Sequence, residues 1–486
     1  MKTEKMILGA AVALLAAVSR ASPQAVSGDR SPWSIASPWR GAASSSTWKS
    51  PFDGKPFDGA GVQPTGGYDA LNGESGHLAV FGRMQLLGAA ENVPDPTRKN
   101  DRVYLFLREA RLGARGEFSG YKYEVQTEYG GEETMPGDAA LTLLDMAVDA
   151  PVPVGENTSI KIGQFRVPYS REGLTDTGYL PFSDRSIQSM GFLMGRDYGV
   201  AVQSYEGPFA GTFGVFSGGG ADLPAHFIPE ALGVPLLVAR AGYNDGVDAD
   251  IYHVSATDLN IRRVEKAAYV NALFEKDSSV GHSTILNTKY ADQDLLASPS
   301  WNPYLPMNGS GTYPPGPQGF RAGDLYQVGA DAVYRLPLAP GRALDFESEV
   351  NWGGYQNQFG ILHEASGRLQ AGLLLRPLEV DLRYVALLPD KNMGATDSSG
   401  GLVTMGAKPI HQIDPGVTWY LKGQNVKVTA DAPVYLGMPV IVEPYTGSYV
   451  LSDFPNEINA SNLVNPGWTL SRRTVTEARL LLQFQF

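Results

Sequence analysis

The sequence predicts an all-β fold, a transmembrane antiparallel β-barrel of about 16 strands. Apolar and polar side chains alternate along segments of about nine to fourteen residues, which suits a tilted strand that crosses a bilayer. Aromatic residues stand at the ends of the apolar faces, where they would meet the membrane interface. The chain also finishes in an amphipathic strand that ends at Phe486.

Composition excludes several other classes of protein. The 486 residues would suit several soluble domains or one large barrel, but after the N-terminus no apolar stretch is long enough for a membrane helix. The net charge of -12 argues against nucleic acid as a partner, since phosphate backbones require concentrated Lys and Arg. The absence of cysteine is compatible with export through an oxidising periplasm.

Residues 1–21 are predicted to be a signal peptide for export. Lys2 and Lys5 provide positive charge, an apolar run extends from Met6 to Val18, and Ser19-Arg20-Ala21 offers a small-x-small cleavage site. A short buried helix is the alternative, and the extreme N-terminal position with its basic flank favours the signal.

The rest of the chain divides into two parts. Residues 22–75 are rich in Ser, Gly and Pro and are interpreted as a flexible leader, because such a stretch buries too little apolar surface to fold alone. Residues 76–486 carry the alternating pattern and are predicted to form the barrel.

The first clear hairpin joins Tyr104–Phe118 to Tyr121–Tyr129 through a turn at Ser119-Gly120. Each segment has one apolar and one polar face, and Arg108 is the one charged residue on the apolar parity. In a wide barrel the polar faces border a water-filled lumen. Six residues of this hairpin and of a later segment are therefore predicted to face the lumen: Glu109, Arg111, Arg115, Glu117, Lys122 and Arg335.

The alternation continues to the C-terminus. A soluble β-sandwich also alternates, but its strands usually have five or six residues, and it does not combine short turns with long polar connections such as Ala291–Gly323. In the last segment, Thr476–Phe486, an exposed aromatic edge would invite aggregation, and pairing with a first strand near Leu78–Gly88 would remove it. A terminal Phe also resembles the signal that the barrel assembly machinery recognises, so this machinery and outer-membrane lipid are predicted partners.

The stretch from Ile160 to Ser170, IKIGQFRVPYS, departs from simple alternation, and Arg196-Asp197-Tyr198-Gly199-Val200 follows it. These motifs resemble the phosphate-selective porin O/P family, in which G-x-F-x-x-P-x-S leads into an inward loop and R-D-x-G-V re-enters the barrel. The resemblance implies a trimeric sixteen-stranded porin of the bacterial outer membrane, with an inward-folded constriction loop and a preference for anions such as phosphate.

The resemblance also implies a cationic anion pathway, with five candidates in this chain: Lys161, Arg166, Arg171, Arg185 and Arg196. Closely spaced guanidinium groups can replace water around an oxyanion. Alternatively, these side chains pair with Glu172, Asp184 and Asp197 and only brace the loop.

The polar faces raise a competing hypothesis, because acidic residues outnumber their basic neighbours there. An acidic lumen slows anions, so a general or cation-preferring diffusion pore is the alternative function. The acidic residues in question are Glu109, Glu117, Glu124, Glu128, Asp145, Asp149, Asp331, Asp345, Glu347 and Glu349.

An enzyme and an adhesive or structural barrel are the remaining alternatives. The sequence predicts no enzyme, no metal and no cofactor: the six histidines are scattered, and neither H-E-x-x-H nor G-x-S-x-G occurs. A barrel hydrolase would show lipid or peptide cleavage, and an adhesive barrel closed by a plug would show no ohmic channel steps. Passive diffusion of small hydrophilic solutes is therefore the predicted function.

Overall fold

The computed structural model describes most of the barrel and none of the first 67 residues. The predicted signal peptide, most of the predicted leader and the polar connection Ala291–Gly323 lie outside the described residues. The described ranges are 68–73, 76–92, 102–130, 141–152, 157–218, 234–248, 250–254, 259, 261–276, 324–357, 360–388, 390, 394–396, 402–404, 408–442, 449–450 and 469–486.

Within these ranges, sixteen antiparallel strands form a closed ring, so the predicted fold class is confirmed. Each strand pairs with the next along the chain, and β15 is interrupted at Ala432-Pro433. In chain order they are β1 Gly76–Asn92, β2 Arg102–Phe118, β3 Tyr121–Gly130, β4 Leu141–Pro151, β5 Thr158–Arg166, β6 Arg196–Glu206, β7 Phe209–Phe216, β8 Val234–Asp245, β9 Glu265–Lys276, β10 Leu325–Ala339, β11 Arg342–Asn357, β12 Gly360–Leu375, β13 Leu378–Leu388, β14 Ile410–Gln424, β15 Val426–Asp431 with Val434–Val442, and β16 Thr469–Gln485.

The last strand closes the ring against the first. The β1–β16 register runs from Arg83 opposite Gln485 to Asn92 opposite Thr476. Phe486 continues this seam, since its backbone N–H donates to the Gly82 carbonyl at 3.0 Å and its carbonyl accepts from the Gly82 N–H at 3.1 Å. The sheet therefore has no open edge here, as the sequence predicted.

Four further short strands lie outside the ring. Tyr68–Gly73, at the end of the predicted leader, pairs with the beginning of β1. Gly394–Thr396 and Leu402–Thr404 form a separate hairpin, and Tyr449–Val450 pairs with the end of β15. In the part of the chain that the structure describes, no helix has both the length and the apolarity to cross a bilayer.

The distribution of apolar and charged side chains is the reverse of that in a soluble protein. Large apolar side chains are exposed on the outside, as at Leu105 (82%) and Leu382 (55%), whereas charged side chains such as Arg335 and Asp331 are buried inside. An exposed apolar surface that surrounds the whole protein is stable only in contact with lipid. The alternation in the sequence thus separates a lipid-facing exterior from a polar interior.

A register shift explains why Arg108 broke the alternation. Gln85 pairs with Glu109 and the next residue, Leu86, pairs with Leu107, so Arg108 has no Cα partner on β1. The extra residue re-aims the side chains around it. Arg108 and Glu109 are consequently both buried.

The two ends of the barrel differ. At one end the connections are tight, as at Ser119-Gly120, where both residues have positive φ and match the turn predicted there. Outer-membrane barrels place such short turns in the periplasm. Residues 246–264, which join β8 to β9 at this same end, are the longest connection there.

Gly163, the first residue of the G-x-F motif, fits β5 only because it lacks a side chain. Its φ is +131°, and a Cβ atom would lie 2.1 Å from the carbonyl oxygen of Met146 on the neighbouring strand. We expect Gly163→Ala to destabilise the barrel by at least about 2 kcal/mol, measured as a lower denaturant midpoint in micelles. Gly367→Ala is the matched control, because no heavy atom lies within 4 Å of the place that a Cβ atom would occupy there. Equal midpoints for the two variants would contradict this explanation.

Candidate pore constriction

Residues 167–195, between β5 and β6, form the predicted inward loop. The loop contains α1 (Arg171–Leu174), a short 3-10 turn and α2 (Ser189–Phe192). Ser170 caps α1, since its hydroxyl accepts a hydrogen bond from the Gly173 N–H at 3.2 Å. The final Ser of the family motif therefore turns the chain from the barrel wall into the lumen.

Hydrogen bonds fix the loop to the wall formed by β11–β16. The Glu172 N–H donates to a Glu349 carboxylate oxygen at 3.0 Å, and the Ile187 N–H donates to Gln412 Oε1 at 2.8 Å. Further along, the Thr418 hydroxyl donates to the Pro181 carbonyl at 3.0 Å. These contacts hold the loop against β11–β16, while Asp176 and Thr177 contact β1 and β2.

Two of the five anion-pathway candidates brace this loop. Arg171 Nη2 lies 2.7 Å from Asp248 Oδ2, its Nε lies 2.9 Å from Asp331 Oδ1, and all three side chains are fully buried. Arg185 donates to the main-chain carbonyls of Glu172 and Thr175, the latter at 2.8 Å. Both arginines therefore have structural contacts away from the cavity described next.

A cavity lies in the lumen, bounded by β1–β6, the inward loop and the C-terminus. The cavity has a volume of about 70 Å³, enough for several water molecules. Its Lys and Arg lining residues are Arg83, Arg111, Lys161, Arg166 and Arg196, and its acidic lining residues are Glu124, Asp145 and Asp176.

Lys161, Arg166 and Arg196 are the three predicted candidates that line this cavity. Lys161 pairs with Asp149 at 3.2 Å, and Arg196 Nη2 pairs with Asp145 at 2.8 Å. Each side chain projects from the β5–β6 hairpin that carries the loop. The same strands therefore hold the loop and supply part of the charge.

Asp176, on the inward loop, lies among three arginines. It pairs with Arg83, with Arg111 Nη1 at 3.0 Å and with Arg166 Nη2 at 3.6 Å. Burial alone would raise the pKa of Asp176, but these three guanidinium groups outweigh burial and hold the pKa well below its ordinary value. The loop therefore carries a charged carboxylate into the cationic cluster.

In the part of the chain that the structure describes, two guanidinium nitrogens of this cluster have no acceptor within hydrogen-bonding distance, and one of them, Arg166 Nη2, has only the 3.6 Å ion-pair contact with Asp176. Among the described residues, Arg111 Nε and Arg166 Nη2 are buried and have no hydrogen-bond partner. Buried donors normally find acceptors, so these two positions are suited to a bound water or a passing oxyanion.

Ion pairs occupy much of the predicted lumen face. Glu109 contacts Arg83 and Arg111, Arg335 Nε lies 2.8 Å from Asp345, and Arg368 contacts Glu347 and Glu349. Glu109, Arg111, Arg115 and Arg335 are buried, while Glu117 and Lys122 oppose each other beside the turn and are half-buried. Much of the acidic excess noted in the sequence is thus offset locally by arginine.

Several lining residues were missing from the sequence prediction. Arg83 shares the parity of Gln85 on β1, so alternation could have placed it in the lumen. Asp176 lies in the inward loop, and Tyr252 and His253 come from the connection between β8 and β9. A loop has no period-two pattern, so the sequence held no comparable signal for these three residues.

Comparisons with known proteins agree with this architecture. The family model described as phosphate-selective porin O and P matches residues 84–257. The anion-selective porin from Comamonas acidovorans shares the fold, with a TM-score of 0.51 and 13% sequence identity over 85% of this chain and 100% of that one.

More distant solved structures include OmpT of Vibrio cholerae, with a TM-score of 0.46 and 10% identity over 86% of this chain and 99% of that one. The channel DcaP of Acinetobacter baumannii has a TM-score of 0.45 and 11% identity over 87% and 100%. No curated protein matches the sequence. The predicted resemblance is confirmed over residues 84–257, which match the family model of the phosphate-selective porins O and P, and the chain has the fold of a porin β-barrel.

Proposed function

We propose that the pore passes small hydrophilic anions, phosphate among them, by passive diffusion. The observation that carries this proposal is the charge of the cavity lining, which holds five Lys and Arg side chains and three Asp and Glu side chains in a chain whose net charge is -12. A narrow passage is poorly screened, so the local charge dominates over the net charge.

The chemistry of the cluster supports an oxyanion as the solute. Guanidinium groups donate hydrogen bonds in pairs to phosphate or carboxylate oxygens. The N–H groups at Arg111 Nε and Arg166 Nη2 can replace water lost from such an anion. Asp176 competes for the same arginines, which weakens binding and lets the anion leave.

A general or cation-preferring pore is the second candidate. Elsewhere in the lumen, Glu364 is buried with no hydrogen-bond partner on either oxygen among the described residues, and Asp381 Oδ2 is in the same state. Where such a carboxyl group is ionised, it favours cations. If they dominate the conduction path, the sign of the selectivity reverses.

The test is the reversal potential of the purified protein in a planar bilayer under a potassium chloride gradient, repeated with potassium phosphate. We expect a sign that reports anion preference. Replacing Arg111 and Arg166 together by Gln is expected to lower the anion-to-cation permeability ratio several-fold, because two positive charges leave the cavity lining.

Arg342→Gln is the matched control, since Arg342 lies at the short-turn end of the barrel and lines no part of the cavity. It should leave the ratio unchanged. A cation-preferring sign for the wild-type protein would overturn the anion proposal and favour the second candidate.

A homotrimer is the assembly that the family resemblance implies, and we propose it for this chain as well. Chemical cross-linking in native outer-membrane fragments should give a three-chain species. A protein that runs as a single chain under the same conditions would contradict this part of the proposal.

A further inference from the structure

The connection between β8 and β9 begins at the short-turn end and yet reaches the constriction. Ile251, Tyr252 and Val254 are buried, and Tyr252 packs edge-on against Phe165 with ring centroids 5.6 Å apart. The Tyr252 hydroxyl also shares a hydrogen bond with Thr212 at 2.9 Å. This segment, residues 250–254, therefore forms a second wall of the cavity that faces the inward loop.

This wall brings the imidazole of His253 to the cavity. Its Nδ1 lies 2.7 Å from Asp250 Oδ2, and its Nε2 lies 3.8 Å from Glu124 Oε2 on β3. Asp250 also accepts from the N–H groups of Tyr252 and His253, at 2.8 and 2.7 Å, which fixes the turn. The imidazole is thus held between two carboxylates.

Other charged groups approach this pair from the neighbouring strands. Lys161 on β5 lies over the Tyr252 ring at 5.2 Å and interacts electrostatically with Glu124 and Asp250. Arg115 on β2 interacts electrostatically with Glu124, and Asp149 on β4 forms an ion pair with Lys161. His253 is the only group of this set that changes charge near neutral or mildly alkaline pH by its ordinary chemistry.

We propose that His253 is a specificity-determining residue of the constriction, whose imidazolium offsets Glu124 and keeps this side of the passage favourable to anions. The inference rests on the proposed anion preference, which it deepens. No sequence motif marks His253, since its role depends on the folding of residues 250–254 into the lumen.

The direction of the pH effect follows from the surroundings of the ring. Burial opposes the charged form of His253, but Asp250 and Glu124 outweigh burial and raise the pKa to about 9. The imidazolium is therefore present at neutral pH and is lost as the pH rises through about 9. At that point Glu124 is no longer offset, and the anion-to-cation permeability ratio should fall.

The experiment measures reversal potentials of the full barrel in planar bilayers under a potassium chloride gradient, from pH 7 to pH 10. We expect the wild-type permeability ratio to fall by roughly twofold or more between these limits. His253→Gln should start at the lower ratio and show a flat profile. His253→Lys should keep the higher ratio until the lysine itself titrates, near its ordinary pKa of about 10.4.

His363→Gln is the matched control, because His363 stacks on Trp352 at the outer surface, away from the cavity. Its pH profile should follow the wild type. A His253→Gln profile identical to that of the wild type would overturn the role of His253, even if the pore prefers anions. A pore that prefers cations throughout but still loses the pH step in His253→Gln would overturn the anion proposal and leave the role of His253 intact.

Discussion

Replacing Arg171 by Ala is expected to release the inward loop and to increase the mean conductance of the pore, with frequent current fluctuations. Arg171 joins the loop to Asp248 and Asp331, and its removal leaves two fully buried carboxylates with less compensation. Breaking a buried ion pair on one side typically costs about 3–5 kcal/mol. Single-channel recording and a denaturant titration of the same preparation measure both effects.

Arg263→Ala is a matched control for that variant. Arg263 Nη1 lies 2.7 Å from Asp245, the same distance as in the Arg171–Asp248 pair, but the Arg263 side chain is 51% exposed. Solvent screens such a pair, so we expect a loss of at most about 1 kcal/mol and unchanged conductance. If Arg171→Ala instead lowers anion preference while the conductance stays quiet and the stability unchanged, Arg171 belongs to the anion pathway and the bracing role is wrong.

Phe486→Ala is expected to reduce the amount of assembled barrel in the outer membrane several-fold, since folding defects commonly change abundance by such factors. The Phe486 ring packs against Gly82 at the β1–β16 seam. We also predict that the terminal aromatic residue is recognised by the barrel assembly machinery. The measurement is the folded fraction in isolated outer membranes, detected by its heat-modifiable migration.

A folding assay without the assembly machinery separates the two roles of Phe486. The ten paired positions from Arg83–Gln485 to Asn92–Thr476 do not involve the Phe486 side chain, so the variant should still fold into lipid vesicles from urea. Gln485→Ala should assemble normally in both settings. Normal assembly of Phe486→Ala in cells would contradict the recognition prediction.

The barrel wall was predictable because its determinants are local. In a strand, the side chains of residues i and i+2 share a face. The apolar parity of Tyr104–Phe118 therefore predicts which side chains contact lipid. The β1–β16 seam was predictable for the same reason. The alternating pattern of the last segment, Thr476–Phe486, predicted a strand edge, and the first strand, near Leu78–Gly88, was the strand left to pair with it. Even the exception at Arg108 marked a real register shift.

The constriction was only partly predictable, because its determinants are long-range. Lys161, Arg166 and Arg196 lie on or next to strands that the family motifs marked, and all three line the cavity. Arg171 lies further into the loop, where its partner Asp248 is 77 residues away in the sequence. A sequence motif identifies such an arginine. Only the folded structure shows whether its guanidinium group lines the cavity or pairs with a buried carboxylate.

The excess of acidic residues on the predicted strand faces is a second example of long-range contacts that the sequence does not show. A count of Asp, Glu, Lys and Arg on the predicted strand faces favours a lumen that repels anions. In the structure Asp145 and Asp149 each pair with a basic side chain on a neighbouring strand, so adjacent strands neutralise charges that one strand shows alone. Selectivity therefore depends on the charges that remain at the narrowest region and not on the sum over the chain.

A planar-bilayer recording of the purified wild-type protein tests the central claim most directly. A closed barrel with a hydrated constriction should insert from detergent and give uniform, ohmic current steps, with a reversal potential on the anion side. Protein that remains soluble without detergent and never produces a step would contradict the pore itself.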